Sequence, residues 1–570
     1  MENRMGWAEG LTIVEQGIAD FRGEASGTYF PFPPALFCGY HPRSMLQISQ
    51  VLLPVDHDDA ALRAAAVRML GVKDRDLRSF TVKQRAIDAR RGHVEFSYTL
   101  HVEVADESRV AKHPRITPAD LTIYTPPQRH AEGSGRPVIV GTGPCGLFCG
   151  LLLARAGLKP ILLERGKAAG DRARDVTGFW NRGWAFNAES NVQFGEGGAG
   201  TFSDGKLYTQ IRDRERRIPW LLKEMVIAGA PEDILVKARP HIGTDRLIKV
   251  VRHVREEIIS LGGEVRFEAR VSDVVIERGI MRGVVLADGS VIEGSQVIFA
   301  IGHSSRDTFE MLKRQGVPME PKPFSIGVRI EHPQRLIDRS LYGKWAGHER
   351  LGAAPYKFVA HCGAGHTAYS FCMCPGGLVV AANSEPGMVV TNGMSSYARA
   401  ESNANAGFMV DVRPEDFPND DVLAGVELQR RIERAAYEMG GGDYKAPAQL
   451  LGDFLAGRAS TGPGEVLPSY RPGVTWTDLR PALPDYIVET IQNAIPRIER
   501  TIPGFQREDA VMTGFETRSS CPLRIPRDAE TMECTGVGHF YPAGEGAGYA
   551  GGIISAAADG LRVAEAILRR

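Results

Sequence analysis

The residues with the clearest chemical meaning lie in the stretch VIVGTGPCGLFCGLLLARAGLKPILLER. Gly141, Gly143 and Gly146 form a G-x-G-x-x-G pattern after a short apolar run and before a helical pattern, and a second apolar run ends at Glu164. In such a unit the glycines permit a tight turn, a close approach of the backbone to a pyrophosphate, and close packing of helix on strand. Free N–H groups at the helix start bind phosphate, and the acid accepts hydrogen bonds from a ribose. The pattern predicts a dinucleotide-binding strand–helix–strand unit.

A second glycine-rich stretch, GHFYPAGEGAGYAGGIISAAADGLRVAEAI, comes before the last helical pattern of the chain. It holds an acid, Glu545, and the paired glycines Gly551 and Gly552 at the helix start. The N-terminus of a helix stabilises negative charge, such as that on N1 of a reduced flavin. The stretch resembles the second motif of two-motif flavoproteins, and this resemblance implies that Glu545 lies near the ribityl and pyrophosphate groups of FAD and the helix start near the flavin ring. The alternative is a glycine-rich turn before an ordinary core helix.

A third element supports FAD as the dinucleotide. Residues 287–303, ADGSVIEGSQVIFAIGH, predict a hairpin that feeds a strand ending at Ala300 and Gly302. Glycine at a strand end lets a ligand approach the backbone. The short strand before it would offer backbone atoms of Val271 to an adenine.

The loop GEGGAGTFSDGKL, residues 195–207, resembles a P-loop because Gly200, Gly205 and Lys206 have the G-x-x-x-x-G-K spacing. Leu207, however, stands where a P-loop needs a hydroxyl for magnesium, and the preceding ESNVQF is too polar for a buried strand. The glycines are better explained by backbone that runs along FAD. Lys206 is then a candidate at the flavin or at a substrate anion, and a solvated lysine is the alternative.

Two further stretches, FCMCPGG and ETRSSCPLRIPRD, contain candidate substrate-side residues. Arg518 and Arg524 are suited to bind a carboxylate with two hydrogen bonds, although a structural ion pair explains each equally well. Cys372 and Cys374 form either a redox pair or two buried, inert thiols. A metal site from these cysteines with His361, Cys362 and His366 is not expected, because the spacing matches no common zinc arrangement.

In this order the elements resemble the glutathione-reductase-like FAD superfamily, and more closely a bacterial family of uncharacterised FAD-dependent dehydrogenases. The resemblance runs from about residue 46 to the C-terminus. It is carried by ESNVQFGEGGAGTFSDGKL, RPHIGTDRL, AIGHSSRDTFEML, KPFSIGVRIEHPQ, FCMCPGGLVVAANSEPGMVVTNGMS, GGGDYKAPAQLLGDFL, ETRSSCPLRIPRD and YPAGEGAGYAGGIISAAADG. It implies an FAD-binding fold and an oxidoreductase, but no particular substrate.

The glycine patterns and the resemblance together define the expected site. The residues expected to contact FAD are Gly141, Gly143, Pro144, Gly146, Glu164, Arg165, Gly195, Gly197, Gly198, Thr201, Ser203, Val271, Ala300, Gly302, Gly544, Glu545, Gly551, Gly552 and Ile553. The candidate catalytic residues are Lys206 and Arg518, and no metal is expected.

The bulk composition excludes several classes of protein. Lys and Arg number 68 against 69 Asp and Glu, so the net charge of −1 gives no electrostatic reason to expect a nucleic-acid partner. Eight cysteines in 570 residues do not suggest a disulfide framework. The N-terminus has no apolar segment typical of a signal peptide, and charges interrupt the apolar residues 137–163. We therefore expect a cytoplasmic protein without a membrane span.

We predict an α/β fold in which a Rossmann-like, two-motif FAD-binding domain is built from discontinuous segments. The predicted segments are an irregular arm (1–45), a small α+β accessory domain (46–130), the first part of the FAD domain (131–320), an α+β cap and substrate domain (321–505), and the C-terminal part of the FAD domain (506–570).

The expected function is an FAD-dependent dehydrogenase or reductase that transfers hydride between the flavin and a small organic substrate. Since no second G-x-G-x-x-G pattern both follows a strand and has a downstream acid, NADH or NADPH would bind only transiently at the flavin, or the electrons would come from the substrate itself. A flavin-dependent monooxygenase, an FAD-dependent RNA-modifying enzyme and a non-catalytic flavin sensor are the alternatives.

Overall fold

A computed structural model describes residues 45–90, 93–127, 135–362 and 365–570. The described residues divide into two compact units, of which the first lies within 45–123, 231–240 and 341–352 and the second within 124–230, 241–340 and 353–570. The predicted arm over residues 1–45 lies outside the described residues except for its last position. The second unit contains the segments predicted as FAD-binding and cap domains, and the boundary between those domains stays a prediction.

The helices and strands below are numbered in chain order. The α-helices are α1 Asp59–Leu70, α2 Pro144–Arg155, α3 Ala169–Arg182, α4 Arg217–Ile227, α5 Thr244–Ser260, α6 Arg306–Arg314, α7 Gln334–Tyr342, α8 Ala424–Gly440, α9 Leu451–Ala456, α10 Asp485–Glu499 and α11 Ile553–Leu568. The strands up to residue 299 are β1 Leu46–Pro54, β2 Leu77–Asp88, β3 Glu95–Val104, β4 Ile116–Pro118, β5 Val138–Val140, β6 Ile161–Leu163, β7 Glu264–Arg266, β8 Val271–Glu277, β9 Ile280–Leu286, β10 Val291–Glu293 and β11 Val297–Phe299. The later strands are β12 Glu320–Pro321, β13 Phe324–Pro333, β14 Val359–His361, β15 Thr367–Cys374, β16 Leu378–Ala381, β17 Thr391–Met394, β18 Asn403–Val412, β19 Ala446–Leu450, β20 Val474–Trp476, β21 Val511–Glu516, β22 Leu523–Arg524 and β23 Phe540–Pro542.

The first unit contains a four-stranded sheet in the order β2-β3-β1-β4. Strand β3 alternates buried and half-buried residues, as expected for a sheet with one face on a core. Helix α1 begins after Asp58, whose side chain accepts from the Ala61 N–H, and ends at Gly71 with a φ of 69°. The sequence predicts β1, α1 and β3 here but misses β2, because its segment LRSFTVKQRAID is mostly polar and buries only Leu77.

A parallel sheet in the order β23-β11-β5-β6-β7 forms one layer of the second unit. It joins strands from distant parts of the sequence, so the predicted Rossmann-like α/β domain of discontinuous segments is confirmed. Helices α2 and α11 pack closely where they meet at Gly560. A Cβ at this position would lie 2.2 Å from the Cys145 carbonyl oxygen, so the contact requires glycine. The segment EVRFEARVSDVVIE, which contains the short strand expected at Val271, divides into β7 and β8, which belong to different sheets.

A mostly antiparallel sheet in the order β14-β15-β18-β13-β21-β19-β20 forms another layer of this unit. Its strands come from a region whose topology the sequence does not predict. Strand β13 is buried over nearly its whole length and pairs with β18 on one side and β21 on the other. Across the described parts of the chain, none of the helices has both the length and the apolar character needed to cross a membrane.

Candidate active site

A cavity of about 490 Å³ lies at the carboxyl ends of the parallel strands in the second unit. Val140 and Leu163, the last residues of β5 and β6, line it, as does Ala300 directly after β11. Ligands of open α/β sheets bind at this edge, and the volume is in the range of small-molecule and cofactor sites.

Most of the residues predicted to form the site line this cavity. They are Gly141, Gly143, Pro144, Glu164, Arg165, Gly198, Ser203, Lys206, Val271, Ala300, Gly302, Arg518, Glu545, Gly551, Gly552 and Ile553. Gly146, Gly195, Gly197, Thr201 and Gly544 are not part of its lining. A direct contact with FAD stays a prediction for all the residues of the expected site.

The glycines outside the lining shape the surrounding loops. A Cβ at Gly146 would lie 2.0 Å from the Gly141 carbonyl oxygen, so this glycine lets α2 pack on β5. Gly195 has a φ of 119°, and a side chain there would collide with the buried Arg172. The guanidinium of Arg172 donates to the carbonyl oxygens of residues 191, 192, 195 and 196. These bonds fix the start of the loop 195–207, whose glycine spacing resembles that of a P-loop.

The start of α2 is built to receive an anion. Its N-cap is Gly143, and no side chain caps the helix, so its first N–H groups are free for a ligand at the cavity. A Cβ at Gly143 would have only the Gly198 Cα within 4 Å, at 3.9 Å. The space beside this glycine therefore belongs to the cavity.

Glu164 holds the glycine turns together. Its buried carboxylate accepts from the Thr142 N–H and hydroxyl, at 3.0 and 2.7 Å, and from the N–H groups of Gly166 and Gly195, at 3.0 and 2.9 Å. Because a carboxylate has about four acceptor positions, a ribose hydroxyl would have to share an oxygen with one of these donors.

Glu545 has a carboxylate oxygen that is free to accept a hydrogen bond from a ligand, whereas the oxygens of Glu164 are already occupied. Burial raises the pKa of Glu545 to about 7, although the Gly552 N–H acts in the opposite direction. Its Oε1 is buried and has no hydrogen-bond partner among the described residues. Beside it α11 begins at Ile553 without a side-chain cap. Free N–H groups at two helix starts and an unpartnered carboxylate oxygen fit the phosphates and hydroxyls of FAD.

Lys206 lies at the other end of the cavity in a buried charge cluster. Its Nζ is 3.1 Å from Oδ2 of Asp204, and their side chains are 20% and 2% exposed. Asp204 also accepts from Arg399 and Ser395. Burial alone would lower the pKa of Lys206, but the Asp204 carboxylate outweighs it and the pKa lies above its usual value. Lys206 is therefore a charged cavity residue and not a solvated surface lysine.

Cys372 faces the same end of the cavity from an irregular point of β15. Its φ is 40°, and the pairing of β15 with β18 shifts register between Phe371 and Cys374. Two donors hold its carbonyl oxygen: Nη2 of Arg329 at 2.5 Å and Sγ of Cys374 at 3.2 Å. Cys372 is open to the cavity but otherwise surrounded by protein, and this burial raises the pKa of its thiol to about 12 despite the nearby Lys206.

Arg518 is part of a buried ion-pair network. It donates to Oε1 and Oε2 of Glu433 at 3.1 and 2.8 Å, and also to the Ser304 hydroxyl at 3.0 Å. Glu433 binds Arg306 as well, at 2.7 and 2.8 Å. Arg518 thus lines the cavity while most of its donors serve the protein, which favours the ion-pair interpretation over carboxylate binding. Arg524 has its guanidinium 5.5 Å from the centre of the Tyr549 ring.

His303 and Tyr356 are among the cavity residues that sequence reasoning missed. Burial and the neighbouring Arg518 lower the pKa of His303 to about 3, so its imidazole is neutral. Tyr356 is 5% exposed, and its hydroxyl has no hydrogen-bond partner among the described residues. The pattern GAAPYKF around Tyr356 contains no signal that could have identified it. Within the ranges described above, no three His, Cys, Asp or Glu side chains are grouped to hold a metal ion.

Comparison with known proteins gives matches to two family models. Residues 323–519 match "FAD-dependent protein, C-terminal domain-like", and residues 45–103 match a domain of unknown function. The protein FixC of Escherichia coli is 29% identical over 210 residues, which are 35% of this chain and 44% of FixC. The FAD-dependent match and the Rossmann-like sheet together identify the fold as that of an FAD-dependent oxidoreductase.

Solved structures resemble the chain only distantly. The flavin-dependent brominase Bmp2 is 14% identical with a TM-score of 0.35, and the match covers 76% of this chain and 79% of the brominase. An L-proline dehydrogenase from P. horikoshii is 12% identical with a TM-score of 0.32, covering 76% of this chain and 94% of the dehydrogenase. Similarity at this level carries no argument about the reaction.

A much closer relative is an uncharacterised protein of Clostridium beijerinckii. It is 45% identical over 533 residues, which cover 92% of this chain and 99% of the clostridial protein. The chain therefore belongs to the same family as this clostridial protein.

Proposed function

We propose that the protein is an FAD-dependent dehydrogenase or reductase of a small organic substrate. The observation that carries the proposal is a single cavity with anion-binding helix starts and Glu545 at one side and charged and thiol groups at the other. FAD bound there would supply the hydride chemistry, and the protein would position and polarise the substrate.

The residues at the far end of the cavity would act on the substrate. Lys206, held by Asp204, would bind a negatively charged or carbonyl oxygen of the substrate, because Asp204 uses only one of its three N–H donors. Arg518 would act as a positioning residue. It holds Ser304, which lines the cavity, and is itself held by Glu433, which is not part of the lining. Reduced nicotinamide would bind transiently as electron donor.

Binding of FAD is the first test, with Gly143→Ala as the informative variant. A methyl group at this position meets no protein atom closer than 3.9 Å, so it should leave folding intact and obstruct only the cofactor. We expect the Kd for FAD to rise at least about tenfold. Gly170→Ala, where a Cβ has no atom within 4 Å and which lies outside the cavity, is the matched control and should bind FAD normally.

Anaerobic stopped-flow reduction of the bound flavin with NADH, NADPH and a panel of metabolites tests the reaction type. Reduction by a metabolite in the absence of oxygen would support a dehydrogenase or reductase. Oxygen-dependent hydroxylation would instead indicate a monooxygenase, salt-sensitive tRNA binding an RNA-modifying enzyme, and a flavin that no donor reduces a sensor. A purified protein that neither contains nor takes up FAD would overturn the proposal.

A further inference from the structure

Cys372 is presented to the cavity by a dedicated local structure. Arg329, which is fully buried, holds the Cys372 carbonyl oxygen and is itself held by Glu516 at 2.7 Å and by Asn405 at 3.0 Å. We call Arg329 with its bond to the Cys372 carbonyl oxygen the clamp. Gly393 leaves space for it, since a Cβ there would lie 1.9 Å from Nη2 of Arg329. The buried network therefore keeps one thiol facing the cavity in an unfavourable backbone conformation.

A second observation at the same end of the cavity indicates a ligand. Tyr356 lines the cavity and is 5% exposed, and its hydroxyl is buried without a hydrogen-bond partner among the described residues. Arg329 and Cys374 are its ionisable neighbours, which places it beside the Cys372 segment. A buried hydroxyl without a partner costs free energy, and a polar group of a ligand would remove that cost.

We propose that Cys372 is the catalytic proton donor of a reductase whose substrate contains a carbon–carbon double bond conjugated to a carbonyl or carboxylate group. The Lys206 ammonium and the Tyr356 hydroxyl would bind the oxygen of that group, and the Cys372 thiol would lie at the double bond. The inference rests on the proposed FAD-dependent function and defines its direction and substrate class.

The step balances as a two-electron reduction. The carbon farther from the carbonyl group receives a hydride from the reduced cofactor, while the neighbouring carbon receives the proton of the Cys372 Sγ–H. The double bond is reduced to a single bond, the cofactor returns to its oxidised form, and the thiolate regains a proton from water. Reduced nicotinamide supplies the next hydride.

The surroundings of Cys372 suit a proton donor. Burial keeps the thiol protonated before the reaction, and Lys206 is close enough to stabilise the thiolate that remains after proton transfer. A positioned acid of this kind typically contributes a factor of about 10² to 10⁴ to the rate.

The test uses FAD-loaded protein reduced with dithionite in ²H₂O and mixed anaerobically with 2-cyclohexenone, fumarate or cinnamate. We expect at least one of these alkenes to reoxidise the flavin and to gain two deuterium atoms from solvent, one through the reduced flavin, whose transferable hydrogen exchanges with solvent, and one from the exchanged Cys372 thiol. Cys372→Ala should slow that reaction at least about 100-fold, and Cys372→Ser should slow it less. Reoxidation by ferricyanide, which needs no proton at carbon, should proceed at the wild-type rate in both variants. Cys534→Ser, a buried cysteine outside the cavity, is the control and should behave as wild type.

Equal alkene rates in wild type and Cys372→Ala would overturn the inference. So would a reduced wild-type protein that ferricyanide reoxidises but none of the alkenes does. Absence of bound flavin, or of reoxidation by ferricyanide, would instead count against the proposed FAD-dependent function.

Thiol labelling provides a readout that does not depend on turnover. In the FAD-loaded protein we expect iodoacetamide, followed by peptide mass spectrometry, to modify Cys372 faster than the buried Cys374 and Cys534. Lys206→Met should slow modification of Cys372 about tenfold, because the lost ammonium no longer favours the reactive thiolate. Labelling of Cys372 that is no faster than labelling of Cys534, or that is unchanged by Lys206→Met, would contradict the assignment.

Discussion

The buried guanidinium of Arg329 donates a hydrogen bond of 2.5 Å to the carbonyl oxygen of Cys372. Arg329 belongs to β13, at the centre of the antiparallel sheet, and Cys372 belongs to β15, whose end lines the cavity. One side chain thus couples the central strand of the sheet to the residue that meets the substrate in our proposal.

Gly393→Ala should disturb this coupling. The new methyl group would lie 1.9 Å from Nη2 of Arg329 and 2.5 Å from Oδ1 of Asn405, so the buried network has to move. We expect the free energy of unfolding in urea to fall by about 3 kcal/mol. Gly462→Ala is the control because a Cβ there has no atom within 4 Å, and it should change stability by less than about 0.5 kcal/mol. Similar stabilities for the two variants would show that the clamp is not rigid.

Cys372→Gly should make the protein more stable and less active. A non-glycine residue with a φ of 40° is strained, and the side chain of Cys372 is exposed to the cavity, so little packing is lost. We expect a gain of about 0.5–1 kcal/mol in urea unfolding, together with loss of alkene reduction. Arg278→Gly, at an exposed turn with a φ of 50°, is the matched control and should gain stability without affecting the reaction. Retained alkene reduction in Cys372→Gly would contradict the role of the thiol.

Glu433→Gln should destabilise the protein strongly. Glu433 is fully buried and pairs with both Arg306 and Arg518, so the amide would remove the carboxylate that two buried cations share and leave Arg306 paired with Glu385 alone. Removing one member of a buried ion pair costs about 3–5 kcal/mol, to be measured by urea unfolding. Glu310→Gln removes a carboxylate that pairs with Arg430 but is 40% exposed, and we expect less than about 1 kcal/mol. Equal losses of unfolding free energy in the two variants would show that burial gives the Glu433 ion pairs no greater weight than the half-exposed pair of Glu310.

His332 should make stability depend on pH between about 4 and 6.5. Burial lowers the pKa of His332 to about 4, although the Phe505 carbonyl oxygen, 2.7 Å from Nε2, opposes this. Below pH 6.5 the unfolded chain binds a proton that the folded protein does not, so stability falls as the pH drops and rises again toward neutrality. The contribution is at most about 3 kcal/mol.

His332→Gln isolates this effect because it keeps a hydrogen-bond donor and removes the titration. The difference in unfolding free energy between wild type and variant should shrink by up to about 3 kcal/mol from pH 7 to pH 4. His253→Gln, on the exposed face of α5, should leave the pH profile unchanged. A constant difference between wild type and His332→Gln across this range would show that His332 has an ordinary pKa.

Local patterns in the sequence were sufficient to predict much of the fold. The glycine pattern and the apolar runs between Val138 and Glu164 predicted a complete strand–helix–strand unit. The paired glycines before the last helix predicted where that helix begins. The strand β2 was missed because an edge strand with one buried residue has no apolar periodicity. The antiparallel sheet could not be predicted because its order depends on pairings between strands far apart in sequence, such as β13 with β21.

The candidate site shows the same division. Glycine-rich turns can be recognised in the sequence because their backbone conformation requires glycine. The roles of charged groups cannot, because they depend on partners that are distant in the chain. Lys206 receives its charge partner locally from Asp204, but Arg399 joins that cluster from almost two hundred residues away. Likewise, the sequence left Arg518 open between an ion pair and substrate binding, because Glu433 lies far from it in the chain.

The order of strands in the parallel sheet has a consequence for the growing polypeptide. Strand β5 and helix α2, which hold the first phosphate-binding turn, leave the ribosome hundreds of residues before β23 and α11, which complete the sheet and cover α2. Until then the face of α2 that packs on α11 lacks its cover, and the cavity lacks Glu545. We expect capture of FAD to require β23 and α11, so ribosome-bound chains stalled before residue 540 should not retain the cofactor.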